Sequence, residues 1–234
     1  MIAHNQLLQK FLLLSCAAAT LTCSVLVNGA EANGESEFAG KRIVSVLDEP
    51  RHRTVHKDGD LYLLDVQVNP GDISLPHTHN SALLVIQISN GNGPLYGRLS
   101  ANTDYVTTPG THELPNAGPG LLRIIAMTNL GPGEQDVASG RPRGVAGEPE
   151  IENPWFRSYR IKLAPGAETP VMLFENPSVV VQVTEGKLHV TRVDGITAEL
   201  DEMAKWTWRD ARSAYQVSNA GYDAVEFIVS EGRR

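Results

Sequence analysis

Short apolar or alternating runs recur along the chain, and clusters of turn-forming residues separate them. The clearest runs lie at 61–68, 83–88, 121–127, 156–163, 179–183 and 224–229. Turns such as Pro70-Gly71 and Asn90-Gly91 bound them. Runs of this length between Gly, Pro and Asn clusters predict β-strands. Because no segment beyond residue 30 keeps a helical period over three turns, the pattern predicts an all-β protein built as a sandwich, barrel or jelly roll.

The strand pattern also repeats within the chain. A shift of 95 residues places the segment 66–71 on 161–166, and a shift of 103 places 116–118 on 219–221. The difference of eight residues is an insertion in the second copy, near 199–206. A collinear series of matches with one insertion indicates a duplicated unit.

The duplication predicts two small β-barrels in tandem. We place the first unit at 41–130 and the second at 150–232. The segment 131–149 is rich in Gly, Pro and charge and has no apolar pattern, so we expect it to be a linker. Two fused units can supply for each other the pairing that single units obtain by dimerising, so we expect a monomer or a homodimer.

The first thirty residues have the three-part layout of a secretory signal. Residues 1–10 carry a positive charge and no acid, residues 11–27 are mostly apolar, and Val27 and Gly29 suit a signal-peptidase site. We predict a signal peptide at 1–29 and an exported protein, periplasmic or secreted. A membrane anchor is the alternative, but the apolar stretch is shorter than the roughly 20 residues of a spanning helix, so no stable membrane span is expected.

Both cysteines, Cys16 and Cys23, lie inside this predicted signal. After cleavage the chain would hold neither a disulfide nor a thiol nucleophile. The run Leu-Leu-Ser-Cys that ends at Cys16 also resembles a bacterial lipobox, which would leave Cys16 lipidated and the protein tethered. The apolar run continues well past Cys16, which favours the cleaved signal.

The charge balance restricts the partners of the protein. The chain of 234 residues has 20 Lys and Arg against 27 Asp and Glu, a formal net charge of −7. Nucleic acids and anionic membrane surfaces attract clustered basic side chains. We therefore expect no nucleic-acid partner.

Three histidines form the candidate metal site. His77 and His79 are two residues apart in a predicted strand, so their side chains point to the same face. His112 follows the Pro109-Gly110 turn and leads into another strand. Imidazole is a common ligand of zinc, iron, nickel and copper. The pattern predicts a metal site, and a degenerate site without metal is the alternative.

These residues also carry a resemblance to a known family. The spacing of Gly71, His77, His79 and Gly91 resembles the first motif of the cupin superfamily, and Pro-His-Thr-His is the wording of germin-like members. The segment 109–116 resembles the second motif, with one residue fewer between its Gly and its His. With the repeat, the resemblance covers nearly all of the chain after the signal, as in two-domain bicupins. It implies two tandem jelly-roll barrels with one Fe, Zn, Ni or Cu ion held by the three histidines.

One departure from the family pattern concerns a missing carboxylate. Family members commonly place a glutamate ligand five residues after the second histidine and seven before the closing glycine, and both counts reach Leu84. Three neutral ligands favour zinc, ferrous iron, nickel or copper over manganese, as in thiol-dioxygenase-like cupins. We expect Leu84, Ile86 and Ile88 to share the inward face beside the site.

The second departure is that the second unit lacks the ligands. The two shifts place Met172, Phe174 and Tyr215 at the histidine positions and Val179 at the glutamate position. We expect this unit to bind no metal. Its predicted core consists of inward-pointing Met172, Phe174, Val179, Val181 and Val183.

The remaining histidines have simpler interpretations. His52 and His56 lie among basic residues and are interpreted as part of a solvated face. His189 has no partner in its predicted strand and is expected to be exposed. Glu113 follows His112 directly and should point the opposite way, so it is not proposed as a ligand.

Two functions follow from these residues and the resemblance. One is a metal-dependent oxygenase, isomerase or lyase that acts on a small molecule, with a tyrosine or carboxylate as acid or base. Tyr62, Tyr96 and Tyr105 are the tyrosines considered, and the sequence does not choose among them. The alternative is a non-catalytic cupin scaffold that binds a small ligand or a metal.

Overall fold

Strands form where the alternating runs predict them, and they make up nearly all the regular structure of residues 38–234, which the computed structural model describes. One 3-10 helix, Asp104–Val106, accompanies them. The predicted signal at 1–29, with Cys16, lies outside the described residues. No helix in the described part is long and apolar enough to cross a membrane.

The first eight strands form two sheets. They are β1 (Val44–Ser45), β2 (His52–Asp58), β3 (Leu61–Val68), β4 (His77–His79), β5 (Ala82–Asn90), β6 (Pro94–Asn102), β7 (Gly110–His112) and β8 (Leu122–Asn129). A five-stranded sheet has the order β2-β3-β8-β5-β6, and a three-stranded sheet has the order β1-β4-β7. One apolar cluster contains Leu64, Val66 and Ala126 of the larger sheet together with Val46, which follows β1 of the smaller sheet. Leu114, which follows β7, is half-buried against this cluster. The first core therefore lies between these two sheets.

The remaining nine strands form a second pair of sheets. They are β9 (Ile151–Glu152), β10 (Phe156–Leu163), β11 (Met172–Leu173), β12 (Ser178–Gln182), β13 (Leu188–Arg192), β14 (Thr197–Leu200), β15 (Trp206–Arg209), β16 (Ala214–Asn219) and β17 (Val225–Gly232). Their orders are β15-β12-β17-β10-β9 and β11-β16-β13-β14. Met172, Phe174, Val180 and Tyr215 are buried in the core between them. The all-β, jelly-roll prediction is confirmed.

The repeat is visible in individual hydrogen bonds. Asn116 donates from its side-chain amide to the carbonyls of Val68 and Gly120, and its Oδ1 accepts from the Gly118 amide. Asn219 makes the corresponding three bonds, to Leu163, Asp223 and Gly221. Every partner is displaced by the 95 or 103 residues seen in the sequence. The duplication is thus confirmed at the level of local structure.

The two five-stranded sheets pack against each other through a shared core. Leu84 and Ile86 of β5 are buried in one cluster with Val179 and Val181 of β12. Gly97, with φ +70°, permits this approach, because a Cβ there would lie 2.4 Å from a Val183 methyl carbon. The four sheets therefore form four layers, and the smaller sheets lie on the outside.

This layering corrects the predicted direction of several side chains. Leu84, Ile86 and Ile88 do not point into the first barrel, and Val179, Val181 and Val183 do not fill the second; all six form the core between the halves. The physical reason is that both faces of each five-stranded sheet are covered by other parts of the chain, although one face of β5 is only half-buried. A strand buried on both faces reads as a continuous apolar run, so its sequence does not show which face is which.

Residues 38–234 form one compact unit, and the boundaries at 41–130 and 150–232 remain a prediction. The predicted linker at 131–149 contains no named strand but is held in place. The buried Arg157 guanidinium donates to the carbonyls of Val137, Ser139 and Gly140. This segment is therefore anchored to the second half of the chain by a buried charge.

Candidate metal centre

Strand pairing brings the three predicted histidines together. His77 and His79 are buried on β4, and His77 lies directly opposite His112 of β7. The intervening Thr78 turns the other way, and its hydroxyl lies 2.8 Å from that of Thr111. One ring nitrogen from each histidine lies within 4.8 Å of the other two. The ring centroids are 4.6 to 5.0 Å apart.

The ring nitrogens of this cluster are close enough together for one metal ion to be held among them. The Nδ1 of His77 lies 2.8 Å from the carbonyl oxygen of Leu75, to which it can donate a proton. The Nε2 atoms of His77 and His79 are buried and have no hydrogen-bond partner among the described residues. Buried polar atoms are almost always partnered. The donor set therefore fits a metal ion, since a carbonyl that fixes one ring nitrogen leaves the other free to bind.

Burial keeps these imidazoles neutral. It lowers the pKa of His79 to about 3, with further lowering from His112 and His77. Although His112 is partly open to solvent, desolvation of its ring lowers its pKa to about 4, with a further lowering from His77. Burial also lowers the pKa of His77, and the Leu75 carbonyl and Glu49 oppose that effect. Neutral rings at pH 7 keep the lone pairs that a metal requires.

A fourth histidine lies beside the cluster, which corrects the sequence interpretation. His52 is only 5% exposed, and its ring centroid is 4.3 Å from that of His77 in an edge-to-face arrangement. Burial, followed by the charges of His77 and the other two rings, lowers the pKa of His52 to about 3. His52 lies opposite Val66 in the register of β2 and β3. The alternation in Arg51-His52-Arg53 is the signal that could have shown it pointing inward.

The other titratable candidates lie apart from the cluster. Glu113 forms an ion pair with Lys41, at 2.6 Å, as expected for a side chain that points away from the site. His56 is half-buried against the Trp208 ring, at 4.5 Å, and so is not simply solvated. His189 is half-buried, and its Nε2 lies 3.3 Å from a carboxylate oxygen of Glu199.

Tyr105 is the tyrosine at the cluster. Its ring stacks on His79 with a centroid distance of 4.9 Å and an interplanar angle of 17°. Burial raises the pKa of Tyr105, so its hydroxyl keeps its proton. Gly110 leaves room for this ring, because a Cβ there would lie 2.7 Å from Cε1 of Tyr105. Tyr62 instead lies under the Lys57 ammonium, and Tyr96 is exposed.

The position on β5 that the family resemblance assigns to a glutamate ligand, Leu84, does not face the histidines. Leu84 faces the core between the halves. Leu83 packs with the cluster that contains Val46 and Leu114, on the histidine side of the sheet. Alternation puts Val85 on that same face. Neither Leu83 nor Val85 is a carboxylate, so the site still has no acidic ligand from β5.

Comparisons with known proteins concern the fold. No protein-family model and no curated protein sequence matches the chain. The crystal structure of AerE from Microcystis aeruginosa matches with 12% identity and a TM-score of 0.54, over 80% of this chain and 99% of that chain. A mutant of salicylate 1,2-dioxygenase from Pseudoaminobacter salicylatoxidans matches with 10% identity and a TM-score of 0.51, over 74% and 70%. Together with the strand order and the repeat, these likenesses show that residues 38–234 have the cupin fold.

Proposed function

We propose that this protein binds one divalent transition metal, Fe, Zn, Ni or Cu, through His77, His79 and His112 and acts as a metal-dependent enzyme on a small molecule. The observation that carries the proposal is the pair of buried, unpartnered Nε2 atoms in the three-histidine cluster of the described chain. Three neutral imidazoles suit these borderline ions better than hard ions such as manganese. A three-ligand set also leaves coordination positions open.

The chain's own residues support a reactive site of the oxygenase, isomerase or lyase type. A bound ion would supply Lewis acidity or redox chemistry there. His112 is exposed, which gives a small molecule access to the cluster. Aliphatic Leu83 and Leu114 are half-buried against the apolar cluster on the histidine side of the sheet. Tyr105 keeps its proton next to His79 and is the residue we assign as hydrogen-bond donor or acid.

The metal content of the purified protein tests this proposal. We expect close to one equivalent of a transition metal after reconstitution, and almost none in the His77→Ala/His79→Ala double variant. His189→Ala is the matched control, because this histidine lies with Glu199 away from the cluster, and it should keep the wild-type content. Protein that takes up no metal under any reconstitution condition would overturn the proposal.

A non-catalytic scaffold that binds a small ligand or a metal is the second candidate. The observation that favours it is the lack of a carboxylate ligand beside the histidines. No carboxylate from β5 faces the histidines, and the corresponding positions of the second half are the buried core residues Met172, Phe174 and Tyr215. Turnover screens on the metal-loaded protein separate the two functions. Saturable binding of small molecules without turnover would support the scaffold.

Export is a further part of the proposal. It depends on the predicted signal at 1–29, with Cys16 as an alternative lipid anchor, and implies a periplasmic or secreted protein. N-terminal sequencing of the protein recovered from expressing cells tests it. A mature chain that begins near residue 30 supports cleavage, a lipidated Cys16 supports the tether, and an intact N-terminus on an intracellular product contradicts export.

A further inference from the structure

Glu49 is a buried acidic residue that lies next to the histidine cluster. Nothing in the sequence around it predicted a role at the site. It lies in the turn between β1 and β2, and its side chain is fully buried. Its Oε2 accepts a hydrogen bond from the backbone amide of Arg51, at 2.6 Å, and its Oε1 accepts one from the amide of Leu75, at 3.0 Å. These contacts fix the carboxylate behind the strand that carries His77.

Two sets of contacts join Glu49 to His77. The first runs through Leu75, whose amide donates to Glu49 and whose carbonyl accepts from Nδ1 of His77. The second is packing alone: the His52 ring lies edge-to-face on His77, and its Nδ1 lies 3.3 Å from Oε2 of Glu49 without forming a hydrogen bond. The first set acts at Nδ1 of His77, the ring nitrogen other than the unpartnered Nε2. Together the two sets determine which nitrogen of His77 is free and where it points.

The charge of Glu49 is poorly compensated within the described part of the chain. Its nearest cationic group is the guanidinium of Arg51, at 3.9 Å, and that group also lies 3.4 Å from a carboxylate oxygen of Asp72. The four neighbouring imidazoles are held neutral by burial. Two backbone amides and a guanidinium shared with Asp72 offset only part of the cost of burying this carboxylate. A divalent ion at the histidines would offset that cost.

We propose that Glu49 supplies the carboxylate of this metal centre from behind His77, as a positioning residue that does not contact the ion. The inference rests on the proposed metal binding by the three histidines. It explains how a site without an acidic ligand on β5 keeps a negative charge close to the ion. Groups that hydrogen-bond the second nitrogen of a ligating imidazole orient the ring, and their loss weakens metal binding by about 10- to 100-fold. Glu49 acts one step further away, through Leu75, so we expect the lower end of that range.

The test is a titration of the full-length, metal-free protein with Co²⁺, followed by the visible absorption of the bound ion. Four proteins are compared: wild type, Glu49→Gln, Glu49→Asp and Asp65→Asn. Asp65 is the matched control, because it is also buried but is paired with Arg53 and Arg123 on the face of β3 that points away from the cluster. Thermal unfolding of each metal-free protein reports whether the fold is intact.

We expect Glu49→Gln to bind Co²⁺ about 10-fold more weakly than wild type, with the same absorption bands because the three ligands remain. Glu49→Asp, which keeps the charge, should recover much of that loss, and Asp65→Asn should bind as wild type does. Wild-type affinity in Glu49→Gln would overturn the inference. Equal losses in Glu49→Gln and Glu49→Asp would also overturn it, because packing rather than charge would then be responsible.

The failure of the underlying proposal has a different signature. If wild type binds no Co²⁺, the three-histidine site itself is wrong and the role of Glu49 is wrong with it. If Glu49→Gln does not fold, His52→Phe replaces it, since this change leaves both backbone contacts of Glu49 in place and keeps a ring against His77. Binding several-fold weaker than wild type then supports the inference, and unchanged binding overturns the part of it that depends on His52.

Discussion

Met172 lies opposite Tyr215 in the same cross-strand register that places His77 opposite His112. The two pairs occupy corresponding strands of the two halves, yet the first is part of a sealed core and the second is a pair of imidazoles. Duplication therefore preserved the backbone frame while the side chains that face each interior diverged. The second half contributes a large buried surface to the fold, and the histidine cluster is confined to the first.

The opposite faces of β5 give the first prediction. Leu84→Ala should lower the free energy of unfolding by about 2–5 kcal/mol, because it leaves a cavity in the core between the halves. It should not change metal affinity. Leu83→Ala, on the half-buried face toward the histidines, is the control and should cost less stability. Denaturant unfolding measures the stability and Co²⁺ titration measures the metal affinity. A Leu84→Ala variant that is as stable as wild type but binds Co²⁺ more weakly would contradict the assignment of the two faces of β5.

The two corresponding asparagines give the second prediction. Asn116→Ala and Asn219→Ala each remove three hydrogen bonds to the backbone. Because buried groups that lose a partner cost about 1–3 kcal/mol each, we expect both changes to destabilise the protein strongly and to a similar extent. Chemical denaturation measures the effect. A large loss for one asparagine and none for the other would argue against equivalent roles in the two halves.

The third prediction concerns the stability of the metal-free protein at acidic pH. Burial lowers the pKa values of His52 and His79 from 6.5 to about 3. Below pH 6.5 the unfolded chain therefore binds protons that the folded chain does not, so stability falls as the pH drops toward 3. Each unit of pKa difference corresponds to about 1.4 kcal/mol. His52→Phe removes one such group, and its unfolding free energy should fall less steeply than that of wild type; parallel curves would be the contrary result.

The fourth prediction separates the ring of Tyr105 from its hydroxyl. Tyr105→Phe keeps the stacking on His79 and should leave Co²⁺ affinity within about twofold of wild type. Tyr105→Ala removes stacking worth about 0.5–1.5 kcal/mol and should weaken binding several-fold. The same titration measures both variants. If Tyr105→Phe weakens binding as much as Tyr105→Ala does, the hydroxyl rather than the ring supports the site.

Much of the fold follows from local sequence signals. The strands follow from alternation and turn residues, which are local. The repeat and the meeting of His77 with His112, 35 positions apart, follow from comparing distant segments and from the cupin-like motif spacing. The direction of Leu84 could not be predicted, because Leu83, Leu84 and Val85 form one apolar run in the sequence although their burial alternates in the structure. Glu49 is similarly hidden: it occupies a turn, and its contact with Leu75 joins residues 26 positions apart, so only the folded chain brings it to the site.

The location of a bound metal tests the central claim most directly. Crystals of the metal-reconstituted protein, measured at the absorption edge of the added ion, would show where it binds. We expect one anomalous peak in the first half of the chain, about 2.0–2.1 Å from a ring nitrogen of each of His77, His79 and His112, as is usual for imidazole ligands. No peak among these three rings, or a peak only at surface groups such as His189 and Glu199, would contradict the account.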